Sequence, residues 1–85
     1  MERLTKKLSD GTYALIEGHD VNEVIVRLAK YEDMYEALCF EFSKITADME
    51  KMRAADKSKT VTYKQLIANK MMNQNLIGRF EIYGL

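Results

Sequence analysis

The chain has 85 residues, which is enough for one domain, and a domain of this size buries a smaller share of its surface than a larger one. Its 13 basic and 13 acidic side chains balance, which excludes a global field that would draw it to nucleic acid or to a membrane surface. The balance conceals a polarity, because residues 1–50 hold six basic and eleven acidic groups, whereas residues 51–85 hold seven and two. This split favours antiparallel packing of the two halves, within a chain or between copies, and the alternative is a basic anion site near the C-terminus.

Cysteine usage and hydropathy indicate where the protein works. Cys39 has no partner for a disulfide within the chain, which suits a reducing compartment. The first residues, from Met1 to Lys7, lack the apolar run of a signal peptide, and the chain contains no run of about 18 apolar residues that would span a bilayer. We therefore expect a cytoplasmic protein that does not bind a membrane.

Two short runs that suit β-strands open the chain. They cover residues 3–8 and 12–17 and are separated by Ser9-Asp10-Gly11. An Asp-Gly pair between two such runs is a favoured hairpin turn. The sequence therefore predicts a β-hairpin within residues 1–18, and this hairpin needs a helix or a second copy to pack on because an isolated hairpin is marginal in water.

The strongest pattern is a heptad repeat, in which apolar residues recur at alternating spacings of three and four. Such a stripe stays in line only when the helix supercoils around a partner. Asp20 and Glu23 form an acidic capping pair before it, in which the first carboxylate accepts free amides and the second reaches back. We predict a coiled-coil helix over residues 20–55 and assign its seam to a homo-oligomer interface. The seam consists of Val21, Val24, Leu28, Tyr31, Tyr35, Leu38, Phe42, Ile45, Met49 and Met52.

The pattern leaves the partner of this seam open. The side chains of Tyr31, Tyr35 and Phe42 are bulkier than a two-stranded parallel zipper prefers, so a higher oligomer or an antiparallel helical hairpin fits as well as a parallel dimer. The seam ends where Asp56 takes the place of an apolar residue, and residues 56–61 are predicted to form a loop.

A second helix is predicted over residues 62–85. Thr62 followed by Gln65 has the pattern of a capping box that opens a helix. At the other end, Gly84 followed by Leu85 has the pattern of a left-handed glycine stop, after which the apolar side chain folds back on the last turn.

A third strand over residues 79–83 is the alternative to the end of this helix. Helix is preferred because of the capping pattern and because β-branched residues do not form a run there. The predicted fold class is thus mainly α within α+β, as one domain over residues 1–85. It comprises an N-terminal β-hairpin, a long coiled-coil helix and a shorter C-terminal helix.

The sequence contains no pattern typical of a catalytic or metal site. His19 is the only histidine, and it has neither companion ligands nor a serine or cysteine at a catalytic spacing. The four glycines are dispersed and form no phosphate-binding loop. We expect a protein that is not an enzyme and binds no cofactor or metal, with His19 in a loop and without a role.

Basic side chains cluster around the predicted start of the second helix, where free amides and the helix dipole favour an anion. If the ligand is a nucleotide, the sequence assigns Arg53, Lys57, Lys59 and Lys64 to its phosphates and Tyr63 to stacking on its base. The alternative is that these lysines only make the surface soluble.

The same segment resembles a helix-turn-helix DNA reader. Thr62 and Leu66 precede the run Asn73-Gln74-Asn75, in which a polar turn would lead into a recognition helix presenting Gln and Asn to base edges. The segment departs from the motif at Met71, where glycine is usual, and at Lys70, where an apolar contact is expected. A dimeric DNA-binding regulator is therefore an alternative function.

Two runs resemble a known set of proteins. They are the opening Met1-Glu2-Arg3-Leu4-Thr5-Lys6 and the later Arg27-Leu28-Ala29-Lys30-Tyr31-Glu32-Asp33, and they are similar to small phage and prophage proteins of Gram-positive bacteria that begin alike and carry an R-L-A-x-Y-E-D run. The likeness covers roughly the first 40 residues and carries over no functional residue. It implies a phage setting, in which small proteins without catalytic motifs often act by binding, including as inhibitors of host defences.

These observations together predict a phage-encoded, homo-oligomeric binding protein that inhibits a bacterial antiviral defence system. It would bind a defence protein or sequester the nucleotide signal of the system. If the target is a protein, the acidic N-terminal half is the predicted contact surface. A phage assembly adaptor is a further alternative, for which the coiled coil alone suffices.

Overall fold

The computed structural model describes every residue from Met1 to Leu85. Its elements are β1 (Thr5–Lys7), β2 (Tyr13–Leu15), α1 (Val21–Ala54) and α2 (Val61–Ile82). The chain divides into two compact units, Met1–Tyr31 and Glu32–Leu85, and α1 contributes to both. The mainly helical class with an N-terminal hairpin is confirmed, and the predicted helix bounds are close to the observed ones. Neither helix is long and apolar enough to cross a membrane.

The first unit contains the predicted hairpin, with shorter strands than expected. β1 and β2 pair antiparallel, with Thr5 opposite Leu15 and Lys7 opposite Tyr13. The turn starts early, because the amide of Leu8 donates to the carbonyl of Thr12 at 2.8 Å. The residues between these two therefore belong to the turn, which leaves three residues for each strand.

Asp10 organises the turn of the hairpin. Its Oδ1 accepts hydrogen bonds from the amide and the hydroxyl of Thr12, at 2.9 and 2.6 Å. The Thr12 hydroxyl, followed by the Thr12 amide, lowers the pKa of the Asp10 carboxyl below its usual value, because both donors favour the charged form. Gly11 follows with a φ of +89°, a left-handed conformation that glycine adopts without steric cost.

The start of α1 is capped as predicted by Asp20, whose Oδ1 accepts the amide of Glu23 at 2.9 Å. The expectation that the Glu23 carboxylate reaches back to the cap is wrong. Its Oε2 lies 2.6 Å from Nδ1 of His19, one turn earlier, instead.

The second unit is an antiparallel helical hairpin. Side chains pair across the two helices in an order that rises along α1 and falls along α2, which defines antiparallel packing. The pairs are Tyr35 with Phe80 (5.8 Å between ring centroids), Glu41 with Asn73 (3.1 Å), Phe42 with Lys70 (5.4 Å from ring centroid to Nζ) and Arg53 with Tyr63 (2.7 Å). The helical-hairpin alternative for the partner of the seam is therefore the one adopted within the chain.

The loop between the helices covers residues 55–60, one residue earlier at each end than predicted. Asp56 has a φ of +59°, and its amide donates to the carbonyl of Arg53 while the next amide donates to Met52, which terminates α1 in a Schellman motif. The predicted capping box at Thr62 is wrong. Thr60 is the N-cap of α2, and its Oγ1 accepts the amide of Tyr63 at 3.2 Å.

The predicted glycine stop at the end of α2 is confirmed. Gly84 has a φ of +78°, and the amide of Leu85 donates to the carbonyl of Phe80 at 3.0 Å. Because α2 continues to Ile82, the third strand over residues 79–83 is not formed. The helix also runs without a break through Asn73-Gln74-Asn75, so the turn that a helix-turn-helix motif needs at this point is missing.

Candidate interaction surfaces

The heptad seam is divided between the two units. From Tyr35 onwards it faces α2 within the same chain, and Leu38 and Met49 are buried there. The assignment of the whole seam to an oligomer interface is thus corrected for six residues, because α2 already occupies their side of α1. These six residues are Tyr35, Leu38, Phe42, Ile45, Met49 and Met52.

The first part of the seam lies in the N-terminal unit and remains open. Val21 and Leu28 keep 65% and 48% of their surface exposed, and Tyr31 is also exposed, whereas Val24 is half-buried. Ile25, which is 57% exposed, follows Val21 by four residues and precedes Leu28 by three, so these three side chains form one apolar face of α1. We call Val21, Ile25 and Leu28 the N-terminal face.

A shallow groove adjoins the N-terminal face, between α1 and the first residues of the chain. It is lined by Met1, Arg3, Leu4, Thr5, Val24, Arg27, Leu28 and Tyr31. Both arginines are bound to the protein itself, since Arg3 Nε donates to the carbonyl of Thr5 at 3.0 Å and Arg27 Nη1 donates to the carbonyl of Glu2. The groove therefore presents apolar surface next to guanidinium groups whose positions are already set.

The basic segment around the second helix is only partly assembled as predicted. Arg53 donates to the hydroxyl of Tyr63 at 2.7 Å, and Tyr63 is 7% exposed. The role of Tyr63 in base stacking is corrected, because a ring inside the helical hairpin has no free face for a base. The one sequence signal for its burial is its place in the apolar stripe of α2, where it is the first residue that faces the seam.

The three lysines of the basic segment, Lys57, Lys59 and Lys64, are exposed on or beside the loop. At the N-terminus of α2, the amide of Tyr63 is already bound by the hydroxyl of Thr60. The helix end therefore has fewer free amides for a phosphate than an uncapped end.

His19 has a structural role that the sequence reasoning missed. Its Nδ1 lies 2.6 Å from the Glu23 carboxylate and its Nε2 lies 3.5 Å from the Glu2 carboxylate. The imidazole joins the start of the chain to the start of α1. The spacing of four residues between His19 and Glu23 is the signal that indicates this pair.

Tyr35 connects the two helices near the ends of the helical hairpin. Its ring packs on Phe80, and its hydroxyl donates to a carboxylate oxygen of Glu81 at 3.4 Å. The neighbouring Cys39 side chain raises the pKa of Tyr35 above its usual value, and burial and Glu81 act in the same direction. The phenol therefore stays neutral, as a hydrogen-bond donor, over a wider pH range than a free tyrosine.

Charge is distributed along the helical hairpin as a dipole. The loop end, residues 51–64, carries five basic groups and one acidic group, and the open end on α1, residues 32–41, carries four acidic groups and no basic one. Tyr35 and Arg53 are 18 residues apart, or about 27 Å along a helix, which exceeds the screening length of about 8 Å at physiological salt. The two ends therefore do not neutralise each other within one hairpin.

Ion pairing within the chain is correspondingly sparse. The only pairs within 4 Å join His19 to Glu2 and Glu23, so no lysine or arginine is bound to a carboxylate. The antiparallel packing within a chain that the charge split favoured is adopted by α1 and α2, but no salt bridge joins the two helices. Several charged side chains are held by neutral partners within the chain, such as Arg53 by Tyr63 and Glu41 by Asn73, and the exposed lysines of the loop end have no carboxylate partner.

The chain covers little of its apolar surface. The buried side chains are Leu4, Leu38, Met49, Tyr63 and Asn73, and none is fully buried. The accessible surface is 6939 Å² for a mass of 9.9 kDa. Compact monomers of this mass expose about 5,200 Å², so roughly 1,700 Å² is left over. Asn73, the one buried polar side chain, is satisfied by the Glu41 carboxylate.

Comparison with known proteins adds no assignment. No protein-family model, curated protein or solved structure shows significant similarity to this chain. No three side chains of His, Cys, Asp or Glu converge in an arrangement that would hold a metal ion. The surfaces described above are therefore the basis for a functional proposal.

Proposed function

We propose that this protein is a self-associating binding protein of phage origin that inhibits a bacterial antiviral defence system by occupying one of its protein components. The observation that carries the proposal is exposed apolar surface. Eighteen large hydrophobic side chains are exposed in the single chain. Contiguous apolar patches typically mark contact sites, and the adjacent side chains of the N-terminal face form such a patch.

The N-terminal face supports a protein target. Val21, Ile25 and Leu28 form an apolar stripe about two turns long, flanked by the apolar groove beside the first residues of the chain. A stripe of this kind suits the hydrophobic groove or helix of another protein. The face also lies within the half of the sequence that carries the acidic excess, where we expect a protein target to bind.

A nucleotide target has weaker support from the same structure. Tyr63 is buried, Arg53 is bound to its hydroxyl, and Thr60 caps the nearby helix end. The lysines alone offer charge without an aromatic platform. For this reason the proposal names a protein component of the defence system, and the phage setting rests on the resemblance of the two runs near the start of the chain.

The DNA-binding alternative also loses its structural basis. It requires a turn near residues 70–75, and α2 is continuous there. The thirteen basic groups of the chain are also matched by thirteen acidic ones, so no overall positive charge attracts DNA. We expect no salt-dependent mobility shift of duplex DNA with the purified protein.

The test is plaque formation on bacterial strains that each carry one defence system, with and without expression of this protein. We expect the protein to restore plaques on at least one strain and Ile25→Asp to abolish this effect, because a carboxylate in the N-terminal face would be desolvated on binding. Val26→Asp is the matched control, since Val26 is also exposed but lies about 100° or more around the helix from each residue of that face.

Two results would contradict the proposal. Failure of the wild-type protein to restore plaques on any strain of the panel would remove the anti-defence role. Full activity of Ile25→Asp would remove the N-terminal face as the target surface.

A further inference from the structure

The helical hairpin of the second unit has two sides with different chemistry. One side holds a groove lined by Cys39, Phe42, Ser43, Gln74, Ile77, Gly78 and Glu81. At 100° per residue, Ile67 and Met71 lie on the same side of α2 as Gln74 and Gly78. We call this the Met71 side, defined by Cys39, Ser43, Ile67, Met71, Gln74 and Gly78.

The opposite side, which we call the Met72 side, is charged in its middle. Its groove is lined by Glu41, Lys44, Ile45, Asp48, Leu66, Asn69, Met72 and Asn73. The six residues that define the Met71 side are all uncharged, and three of them, Cys39, Ser43 and Gly78, are small. An uncharged surface of small and aliphatic residues lets a second helix approach closely and loses little hydration when it is covered.

The ends of the Met71 side are oppositely charged. Glu36 lies one heptad before Ser43 on α1, and Glu81 lines the same groove, so the open end is acidic. Lys64 lies one heptad before Met71 on α2, at the loop end where basic groups prevail. Glu50 also lies on this side and opposes Lys64, so the basic excess of the loop end comes from the loop residues Lys57 and Lys59.

We propose that the Met71 side of one chain packs against the Met71 side of a second chain in antiparallel orientation, so that the basic loop end of each helical hairpin meets the acidic open end of the other. The inference rests on the self-association in the proposed function and specifies its surface and orientation. A two-fold axis through the middle of the side brings both complementary pairs of ends together at once. The parallel arrangement would place acidic end on acidic end and basic end on basic end, which is repulsive.

The available area agrees with this partner. A standard interface buries about 800 Å² on each chain. The chain exposes 6939 Å² in total, so an interface of this size and the separate N-terminal face both have room on it. The charged ends then account for the missing salt bridges of the single chain, because their partners belong to the second copy.

Two neighbouring methionines provide a matched test of the surface. Met71 and Met72 are 60% and 62% exposed, and they point to the two different sides. Sedimentation equilibrium of the full chain should show a dimer for the wild type. Met71→Glu should weaken the dimer at least about tenfold, whereas Met72→Glu should leave it unchanged. Circular dichroism of both variants should show the same helix content.

The orientation is tested with cysteine pairs in the Cys39→Ala background. Glu36→Cys and Lys64→Cys proteins are oxidised separately and as an equal mixture. Antiparallel packing predicts that the mixture forms a disulfide between the two variants and that neither variant crosslinks efficiently to itself. A disulfide between two copies of the Glu36→Cys protein would overturn the proposal, because it requires a parallel pair.

The outcomes separate this inference from the proposed function. A wild-type dimer that Met71→Glu leaves intact would overturn the surface but not the self-association. A wild-type protein that stays monomeric at all concentrations would overturn both.

Charge reversal adds a further requirement, since Glu36→Lys alone and Lys64→Glu alone should each weaken the dimer, and mixing the two variants should restore it.

Discussion

The two halves of α1 have the same heptad spacing and different surroundings. In the second half, the seam is covered by α2, and Leu38 and Met49 are buried. In the first half, the seam lies in the N-terminal unit, and Val21 and Leu28 remain exposed there. A heptad repeat therefore indicates that a helix packs against partners. It does not indicate that a single partner covers the whole repeat.

The largest expected effect comes from replacing one leucine in each half. Leu38→Ala removes a buried side chain from the helical hairpin and should lower the free energy of unfolding by about 2–3 kcal/mol. Leu28→Ala affects an exposed position of the same seam and should cost less than about 0.5 kcal/mol of intrinsic stability. Urea unfolding at one fixed, low protein concentration measures both, because association adds stability at high concentration.

Equal losses for the two leucine variants would contradict this division of the seam. A large loss for Leu28→Ala at low protein concentration would indicate that the N-terminal half is covered within the chain.

A smaller effect is expected at the turn of the helical hairpin. Asp56 adopts a left-handed φ of +59°, which is strained for a residue with a Cβ atom, whereas Gly84 occupies the corresponding position after α2 without strain. Asp56→Gly should raise the free energy of unfolding by about 0.5–1 kcal/mol, and Asp56→Ala should not. The urea midpoints of the two variants measure this, and equal shifts in both would exclude backbone strain as the cause.

The smallest effect concerns the turn of the β-hairpin and depends on pH. The pKa of Asp10 is lowered in the folded state, so its carboxylate stabilises the turn above its unfolded pKa of 3.8 and loses this contribution as pH falls through the lower folded pKa. The protection factors of the amides in β1 and β2, which are exchange rates corrected for the intrinsic rate at each pH, should therefore fall on acidification in the wild type. Asp10→Asn should reduce this pH dependence, and the amides of α2 serve as the internal control.

An unchanged pH dependence in Asp10→Asn would show that the turn does not rely on this carboxylate. Thr12→Val is a second check, since it removes the hydroxyl that donates to Asp10 and should have the same effect through the other partner.

Most of the secondary structure was predictable from short patterns. The Asp-Gly turn, the cap at Asp20, the loop at Asp56 and the glycine stop at Gly84 each depend on the conformation of a few neighbouring residues, which the sequence specifies directly. The cap of α2 was the exception. Thr60 and Thr62 both have side chains suited to capping, and only the path of the preceding loop selects Thr60.

The candidate site was less predictable because its residues are brought together by packing. The basic and polar residues around Tyr63 in the sequence would also suit an exposed tyrosine that binds a ligand. In the structure, Tyr63 faces α1, and its hydroxyl accepts a hydrogen bond from Arg53. Likewise, the contact between His19 and Glu2 joins residues from different segments. Neither contact has a pattern along the chain that distinguishes it from other pairs.

The sequence by itself determined the elements: where a turn, a cap or a helix begins and ends, and that the stripe along α1 requires apolar partners. These are local properties, set by backbone conformation and by hydrophobic spacing. Only the tertiary structure decided which surface covers which part of the stripe. Because α2 folds back antiparallel, it covers the seam from Tyr35 to Met52 and places the basic loop residues and the acidic residues 32–41 at opposite ends of one helical hairpin.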